Sequence, residues 1–378
     1  MKGNMRFCVP CLFGVEGLVA QELRDMGLEQ VQAENGRVLF SGGWEAMVRA
    51  NLCCRFGERV LLLLGEFPAR SFEELFQGVK ALPWEGLLGK EDAFPVTGSS
   101  LSSQLHSVPD CQAIIKKAIV ERLKAKYKLS WFAESGSLHR VRFRILKDQV
   151  SVMVDTSGEG LHKRGYRALS NDAPMKETLA ASLCQLSRLR QDGHLIDPFC
   201  GSGTILIEGA LLARNIAPGL GRAFTAESWG SVPGQLWQQE RERARSLERR
   251  DTGFTAQGFD VDPAAVELTL ANAQKAGVED CITASVRDVR DFTQEGAYGC
   301  VVCNPPYGER LLDVRQAQEL YRALGQVFQP QRGWSLGVIS PDPEFESLFG
   351  RKADKRRKLY NGMIQCQYYQ YFRGSDKR

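Results

Sequence analysis

The sequence predicts an α/β fold: a doubly wound parallel sheet that closes with an antiparallel hairpin, preceded by two small α+β units. Three observations carry this expectation. From residue 174 onward, helix and strand patterns alternate, as they do in a parallel sheet with crossover helices. Four successive strands in that region end at or beside a polar residue, Asp197, Asp260, Asp288 and Asn304. In a doubly wound sheet such tips share the edge where ligands bind. Near the C-terminus, Asn361-Gly362 separates the extended runs Lys358–Tyr360 and Met363–Tyr371, the strongest short hairpin signal.

Residues 1–65 read as strand, helix, strand, helix, strand. Arg6–Cys11 is extended. Gly14–Met26 is an amphipathic helix with Val15, Leu18, Val19 and Leu23 on one face, and Gly27 stops it. Arg37–Phe40, Trp44–Leu52 and Val60–Leu64 follow as strand, helix and strand. Residues 66–160 form the second unit. Ser71–Leu82 opens with Ser71 and carries Glu74 three positions later, a capping-box pattern. Phe94–Gly98 is extended, and Asp110–Tyr127 is a helix with Ile114, Ile115, Ala118, Ile119 and Leu123 on its apolar face. Its other side carries Lys116, Lys117, Arg122, Lys124 and Lys126. His139–Leu146 and Gln149–Asp155 form a hairpin turning at Lys147-Asp148, in which Arg140, Arg142 and Arg144 alternate with Val141, Phe143 and Ile145. One face of that strand is therefore apolar and the other a row of arginines. The basic helix and the arginine row are the best candidates for gripping phosphates. Thr156–Gly160 is the junction to the third domain, residues 161–378.

Composition bounds the class. The chain has 378 residues, 43% hydrophobic and 25% charged, ordinary values for a soluble globular protein of two or three domains. Val60–Leu64 is the longest apolar stretch near the start, too short to span a bilayer. Met1–Phe13 is broken by Arg6 and Pro10, so no signal-peptide core is expected and the predicted location is the cytoplasm. Two Cys-x-x-Cys pairs occur, Cys8/Cys11 and Cys300/Cys303. Positions three apart on a strand face opposite sides, and no histidine lies near either pair, so no metal is expected. Eleven scattered cysteines fit reduced thiols in a core. The net charge is only +4, yet residues 110–167 carry 13 Lys/Arg against 6 Asp/Glu, and 351–358 carry six basic residues against Asp354. Local basic patches on a near-neutral chain suggest a polyanionic partner.

The third domain holds the chemistry. A short strand, Gly193–Ile196, runs into Asp197-Pro198-Phe199-Cys200-Gly201-Ser202-Gly203-Thr204 and then a helix through Ala213. The glycines let a ligand approach the backbone. There is no Gly-Lys-Ser/Thr, and Leu206 stands where a dinucleotide fingerprint needs its third glycine. A pyrophosphate reader is disfavoured. The loop suits the zwitterionic methionine end of S-adenosylmethionine, with Asp197 near the ammonium. Asp260 ends the strand Ala256–Phe259 and suits ribose hydroxyls; Asp262-Pro263 reads as a helix cap. Asp260 follows Gly203 by 57 residues against the usual ~20, so 214–254 is an insertion, with a charged helix over Gln238–Arg250. Asp288, after the strand Cys281–Val286, is placed for an adenine amino group. The strand Tyr298–Cys303 ends in Asn304-Pro305-Pro306-Tyr307. The Asn304 side-chain carbonyl and the Pro305 backbone carbonyl can accept N–H bonds from an amine whose lone pair is otherwise delocalised. They would aim that lone pair at a methyl donor and stabilise developing positive charge. The Tyr307 ring offers a face for a flipped base. The strand Trp334–Ile339 and the terminal hairpin complete a Rossmann-like class I methyltransferase pattern.

On these residues the chain resembles the bacterial THUMP-domain RNA methyltransferases, close to the N-terminal half of the bifunctional enzyme that makes N2-methylguanine in 23S rRNA. The resemblance rests on Cys8–Glu16, Leu161–Arg167, Ala173–Ala180, Asp197–Thr204, Ala217-Pro218-Gly219 and Asn304–Arg310. It implies a ferredoxin-like domain over 1–65 and a THUMP domain over 66–160 that holds structured RNA. It implies that Asp197, Pro198, Cys200, Gly201, Ser202, Gly203, Thr204, Asp260, Asp288 and Asn304 bind S-adenosylmethionine, and that Asn304–Tyr307 meet a flipped guanine. Lys116, Lys117, Arg140, Arg142 and Arg144 are the expected RNA contacts. Arg164 and Arg167 either join them or tie the domains together. rRNA leads over tRNA as substrate; adenine N6 and a protein glutamine amide are the other targets the same motif serves.

Overall fold

The structure, a computed structural model, describes residues 4–167, 175–294, 298–307, 314–328 and 332–372. They fall into two compact units. The first takes in the chain through Cys11, Val19–Leu161 and Ala223–Glu242. Its elements are β1 (Met5–Pro10), α1 (Glu16–Asp25), β2 (Glu29–Glu34), β3 (Arg37–Gly42), α2 (Trp44–Cys53), β4 (Leu61–Pro68), α3 (Phe72–Ala81), β5 (Val96–Leu101), α4 (Val108–Tyr127), β6 (Val141–Leu146) and β7 (Gln149–Asp155).

These strands form one sheet in the order β2-β3-β1-β4-β7-β6-β5. β4 pairs antiparallel with β1 on one side and β7 on the other. The boundary drawn at 65/66 therefore falls inside β4, just past its register shift between Leu63 and Gly65. Two α+β halves share a continuous sheet. Sequence patterning missed β2, because Glu-Gln-Val-Gln-Ala-Glu buries none of its residues and offers no apolar alternation; it is held by the ladder to β3. The other expectations here take physical form. Ser71 caps α3 by accepting from Glu74 N at 3.2 Å. Lys147 and Asp148 both take positive φ, 50° and 62°, in the two-residue turn between β6 and β7. β6 buries Val141, Phe143 and Ile145 and leaves Arg142 and Arg144 half-exposed.

The second unit comprises Leu12–Leu18, His162–Arg222 and Arg243 onward. Its elements are α5 (Glu177–Leu186), β8 (His194–Asp197), α6 (Thr204–Ala213), α7 (Gly234–Ser246, which straddles the units), β9 (Thr255–Asp260), α8 (Pro263–Ala276), β10 (Ile282–Val286), β11 (Gly299–Cys303), α9 (Val314–Val327), β12 (Trp334–Ser340), α10 (Phe345–Phe349), β13 (Lys355–Asn361) and β14 (Ile364–Phe372). The sheet order is β10-β9-β8-β11-β12-β14-β13. The first five strands are parallel, and β14 runs antiparallel between β12 and β13. The order reverses beside β8, which makes the crevice between β8 and β11 the topological switch point. This is the class I methyltransferase fold, with its reversed last pair.

The insertion after α6 divides. Residues 223–242 belong to the first unit, where Trp229 stacks on His139 with ring centroids 4.4 Å apart and donates from Nε1 to Leu138 O at 2.9 Å. The charged helix expected over Gln238–Arg250 runs four residues earlier, because Trp237 in its first turn is buried and stacks on Phe224.

Candidate active site

β8 ends in Asp197, 1% exposed. Its Oδ1 accepts from Phe199 N at 3.0 Å, and no cationic side chain among the described residues pairs with it. Burial pushes its carboxyl up to about 8, since desolvation disfavours the charged form. A buried acid without a counter-charge suits a cationic ligand group.

The loop after β8 is stitched to its neighbours from both sides. Cys200 N donates to Phe259 O at 2.9 Å, Thr269 Oγ1 to Gly201 O at 2.8 Å, and Asn272 Nδ2 to Ser202 O at 3.0 Å. Gly201 and Gly203 both have positive φ, 53° and 78°. Their requirements differ. A Cβ on Gly203 would stand 2.8 Å from Thr269 Cγ2, whereas one on Gly201 would meet nothing within 4 Å. Gly203 lets α8 pack close; Gly201 leaves open space over the loop, which a ligand needs. Asp260 closes the arrangement, accepting from Gly201 N at 3.0 Å and from Asp262 N at 3.0 Å. Each oxygen retains a lone pair for a hydroxyl donor. Asp262 caps α8 by accepting from Ala264 N at 2.9 Å, the structural role its place before Pro263 implied. Asp288 caps a short turn, accepting from Arg290 N at 2.8 Å and pairing with its guanidinium at 2.9 Å.

At the tip of β11 the Asn304 Oδ1 is buried and has no hydrogen-bond partner among the described residues. Leaving such an acceptor unsatisfied costs about 1–3 kcal/mol, and native folds rarely carry that cost without a ligand, water or ion to relieve it. Pro305 is buried, while Pro306 and Tyr307 are half-exposed. Tyr307 OH accepts from Asn361 Nδ2 at 2.6 Å. Gly308, Glu309 and Arg310, like Ala173 and Pro174, lie outside the described residues. The ladders pair Asp197 with Gly258 and Asp260 with Val286, while Val301 pairs with Ile196. Asp197, Asp260, Asp288 and Asn304 therefore follow the carboxyl ends of neighbouring parallel strands, along one edge.

The junction arginines do something the sequence did not show. Arg164 is 4% exposed and forks onto Glu208 of α6 at 3.2 and 3.4 Å, where Tyr166 OH also donates at 3.1 Å. It is buried, and this fork lies inside the second unit. Arg167 donates to Thr204 Oγ1 and to Met175 O, and pairs with Glu177 at 3.6 Å; it braces the first residue of α6. Glu208 and Glu177 were both missed. A signal for Glu208 exists: it is the one charged residue in the apolar helix Thr204–Ala213, and a charge there needs a buried partner.

Among the cations expected to meet phosphates, Lys116 is occupied. It donates to Phe94 O at 3.1 Å, lies 3.6 Å over the Phe94 ring and pairs with Glu134. Arg142 shares the fully buried Asp155 with Arg59, at 3.0 and 2.8 Å. Lys117 and Arg140 are exposed and Arg144 is half-exposed, and none of the three has an ion-pair partner among the described residues. No group of three or more His, Cys, Asp or Glu gathers as metal ligands among those residues, and no helix there is long and apolar enough to cross a membrane.

Residues 164–370 match the family described as RMKL-like, methyltransferase domain; residues 6–61 match the RlmL ferredoxin-like domain, and 69–155 the THUMP domain. YpsC of Bacillus subtilis (strain 168), provisionally named an RNA methyltransferase, is 44% identical over 361 residues, which cover 95% of this chain and 94% of that protein. The ribosomal RNA large subunit methyltransferase K/L of Psychromonas ingrahamii is 35% identical over 389 residues; they cover 99% of this chain but 51% of that protein, so this chain spans about half its length. The solved structure of SMU.472, provisionally named a methyltransferase and complexed with S-adenosylhomocysteine, matches with a TM-score of 0.93 at 42% identity, covering 98% of this chain and 99% of that one.

Proposed function

Because the chain belongs to the RMKL-like methyltransferases and uses S-adenosylmethionine, we propose that it methylates the exocyclic N2 of a guanine in structured RNA, with 23S rRNA as the target. The observation that carries this reading is the orphaned Asn304 Oδ1, a buried acceptor at the tip of β11. An exocyclic amine brings the N–H donors it lacks. Bound S-adenosylmethionine supplies an electrophilic methyl group on a sulfonium. Asn304 Oδ1 and the Pro305 carbonyl each take one N–H of the amine, turning its lone pair out of the base plane and towards that methyl. As nitrogen gained the methyl, the methyl–sulfur bond would break to leave S-adenosylhomocysteine, and both acceptors would strengthen their bonds to the nitrogen as it became positive. The extra proton then leaves to water, so no strong base is needed beforehand. Tyr307, braced by Asn361, offers its ring face to the flipped base. Asp197 faces the cofactor's ammonium, Asp260 its ribose, and Asp288 its adenine edge. Pro198, Cys200, Gly201, Ser202, Gly203 and Thr204 shape the loop around its methionine end.

Lys117, Arg140 and Arg144, cations with no ion-pair partner among the described residues, hold phosphates of the folded RNA, with Arg142 beside them. The name of the large-subunit K/L relative supports rRNA over tRNA, and such a substrate places the enzyme in the cytoplasm. The deciding experiment supplies labelled cofactor with deproteinised rRNA, tRNA, plasmid DNA and a bacterial protein extract, and identifies the product by mass spectrometry. The expected product is N2-methylguanosine in 23S rRNA. Label recovered as N6-methyladenine in DNA, or as a methylated glutamine amide, would overturn the reading.

A further inference from the structure

The basic run Arg351–Lys358 and the turn that follows β13 have no part in the chemistry above, yet the topology delivers them to it. β14 runs antiparallel to β12 with Ser340 opposite Gln367, so the β13–β14 turn lies beyond the carboxyl end of β12. That is the edge to which β11 delivers Asn304. The hydrogen bond from Asn361 Nδ2 to Tyr307 OH, 2.6 Å, ties the turn directly to the Asn-Pro-Pro-Tyr segment. Asn361 pairs with Ile364, so the turn proper is Gly362, with φ of +64°, and Met363. Met363 is 97% exposed, the most exposed large hydrophobic side chain among the described residues. Two-residue hairpin turns favour Gly, Asn and Asp, and a lone surface methionine elsewhere would need no explanation. Here a long, adaptable apolar chain stands two residues from the group that braces Tyr307. Behind it, β13 is the edge strand of the sheet. Arg356 pairs with Glu346, and Arg357 donates to Gly14 O. Lys358, five positions before Met363, is exposed and has no ion-pair partner among the described residues.

We infer that the β13–β14 turn is a substrate finger: Met363 enters the RNA stack at the place the target base vacates, while Lys358 holds a flanking phosphate. The inference rests on the proposed reading that a base is drawn out of structured RNA. Extrusion breaks stacking at a cost of a few kcal/mol, which an inserted apolar side chain partly restores. Methionine suits a site whose neighbours differ from step to step, because it is unbranched and polarizable. An ammonium group on an exposed edge suits a phosphate as a point charge.

The test compares wild type with Met363→Ala, Met363→Leu, Met363→Glu and Lys358→Glu. Each is assayed for methyl transfer to folded, deproteinised large-subunit rRNA and to the same RNA cut by alkali into short unpaired pieces. Calorimetry with S-adenosylhomocysteine checks the cofactor site. With Met363 as a wedge, the alanine and glutamate variants lose about tenfold or more in kcat/KM on folded RNA, and leucine restores most of it. The pieces, which need no extrusion, are methylated within about twofold of wild type by Met363→Ala. The Lys358→Glu variant raises KM on both substrates, and cofactor affinity is unchanged throughout. Wild-type activity on rRNA with no loss in Met363→Ala, or with leucine as poor as glutamate, removes the finger and leaves the guanine reading intact. A wild-type enzyme that labels neither RNA removes the guanine reading, and the finger with it.

Discussion

The Asp197 carboxyl and the Asn304 Oδ1 are both buried, both polar and both short of a partner, and each defect states what the site wants. Asp197 wants positive charge. With its carboxyl near pKa 8, the ligand-free protein holds it largely protonated at neutral pH, whereas a bound ammonium favours the carboxylate. Cofactor affinity should therefore rise about tenfold per pH unit between pH 6 and 7, with proton release visible as a buffer-dependent heat in calorimetry. Asp197→Asn should bind weakly at all pH and lose that slope. The sign for stability runs the other way. The folded carboxyl titrates above its ordinary value of 3.8, so its contribution is complete below that value and is lost as pH rises towards 8. At pH 7 the ligand-free Asp197→Asn protein should accordingly melt a few degrees higher than wild type. Composition and spacing revealed these residue types at the strand tips. They could not reveal that Asp288 and Asp260 also bond backbone nitrogens, nor that Arg164 is buried, because its partner Glu208 lies 44 residues away.

The elements that build the site are a loop, a helix start and a strand tip, held from behind by ionic contacts. Arg164 and Glu208 sit at side-chain exposures of 2% and 1%, where removing one partner strands the other charge. Arg164→Ala should destabilise the second unit by about 3–5 kcal/mol in urea titration. Arg164→Ala/Glu208→Leu should recover a good part of that loss. On the sheet of the first unit, the proposed RNA contacts belong to β6 and the residue before it. Changing Arg140 and Arg144 to glutamate should weaken RNA binding and lower the slope of log affinity against log salt by about 1 or more; an unchanged slope would clear both residues. Element by element, strong periodicity was legible: α4, the β6–β7 hairpin and the Asn361-Gly362 turn lie close to where their patterns put them. β2 was not, since an edge strand that buries nothing carries no pattern. The start of α7 was not, since its anchor Trp237 stacks on Phe224, 13 positions earlier.

At the scale of the whole chain, two sheets share the labour, and two stretches of sequence, Leu12–Leu18 and residues 223–242, belong to the unit other than the one that flanks them. Residues 223–242 leave the second unit in sequence and pack within the first. Composition hinted at an insertion but could not say what it packs on, because Trp229 meets His139 across 90 positions. Trp229→Ala should cost the first unit about 3–5 kcal/mol while leaving S-adenosylhomocysteine affinity, a property of the second unit, within about twofold. A loss of cofactor binding on that substitution would show that the two units cannot be treated separately.

The account depends on Asn304 meeting the substrate amine while the rest of the crevice meets the cofactor. Single-turnover methyl transfer by Asn304→Ala on folded large-subunit rRNA, measured beside its S-adenosylhomocysteine affinity, tests that division most directly. The predicted result is a transfer rate lower by about 10² to 10³ or more, with cofactor affinity within a few-fold of wild type. Transfer at the wild-type rate, or a rate that falls only as far as cofactor binding falls, would contradict it.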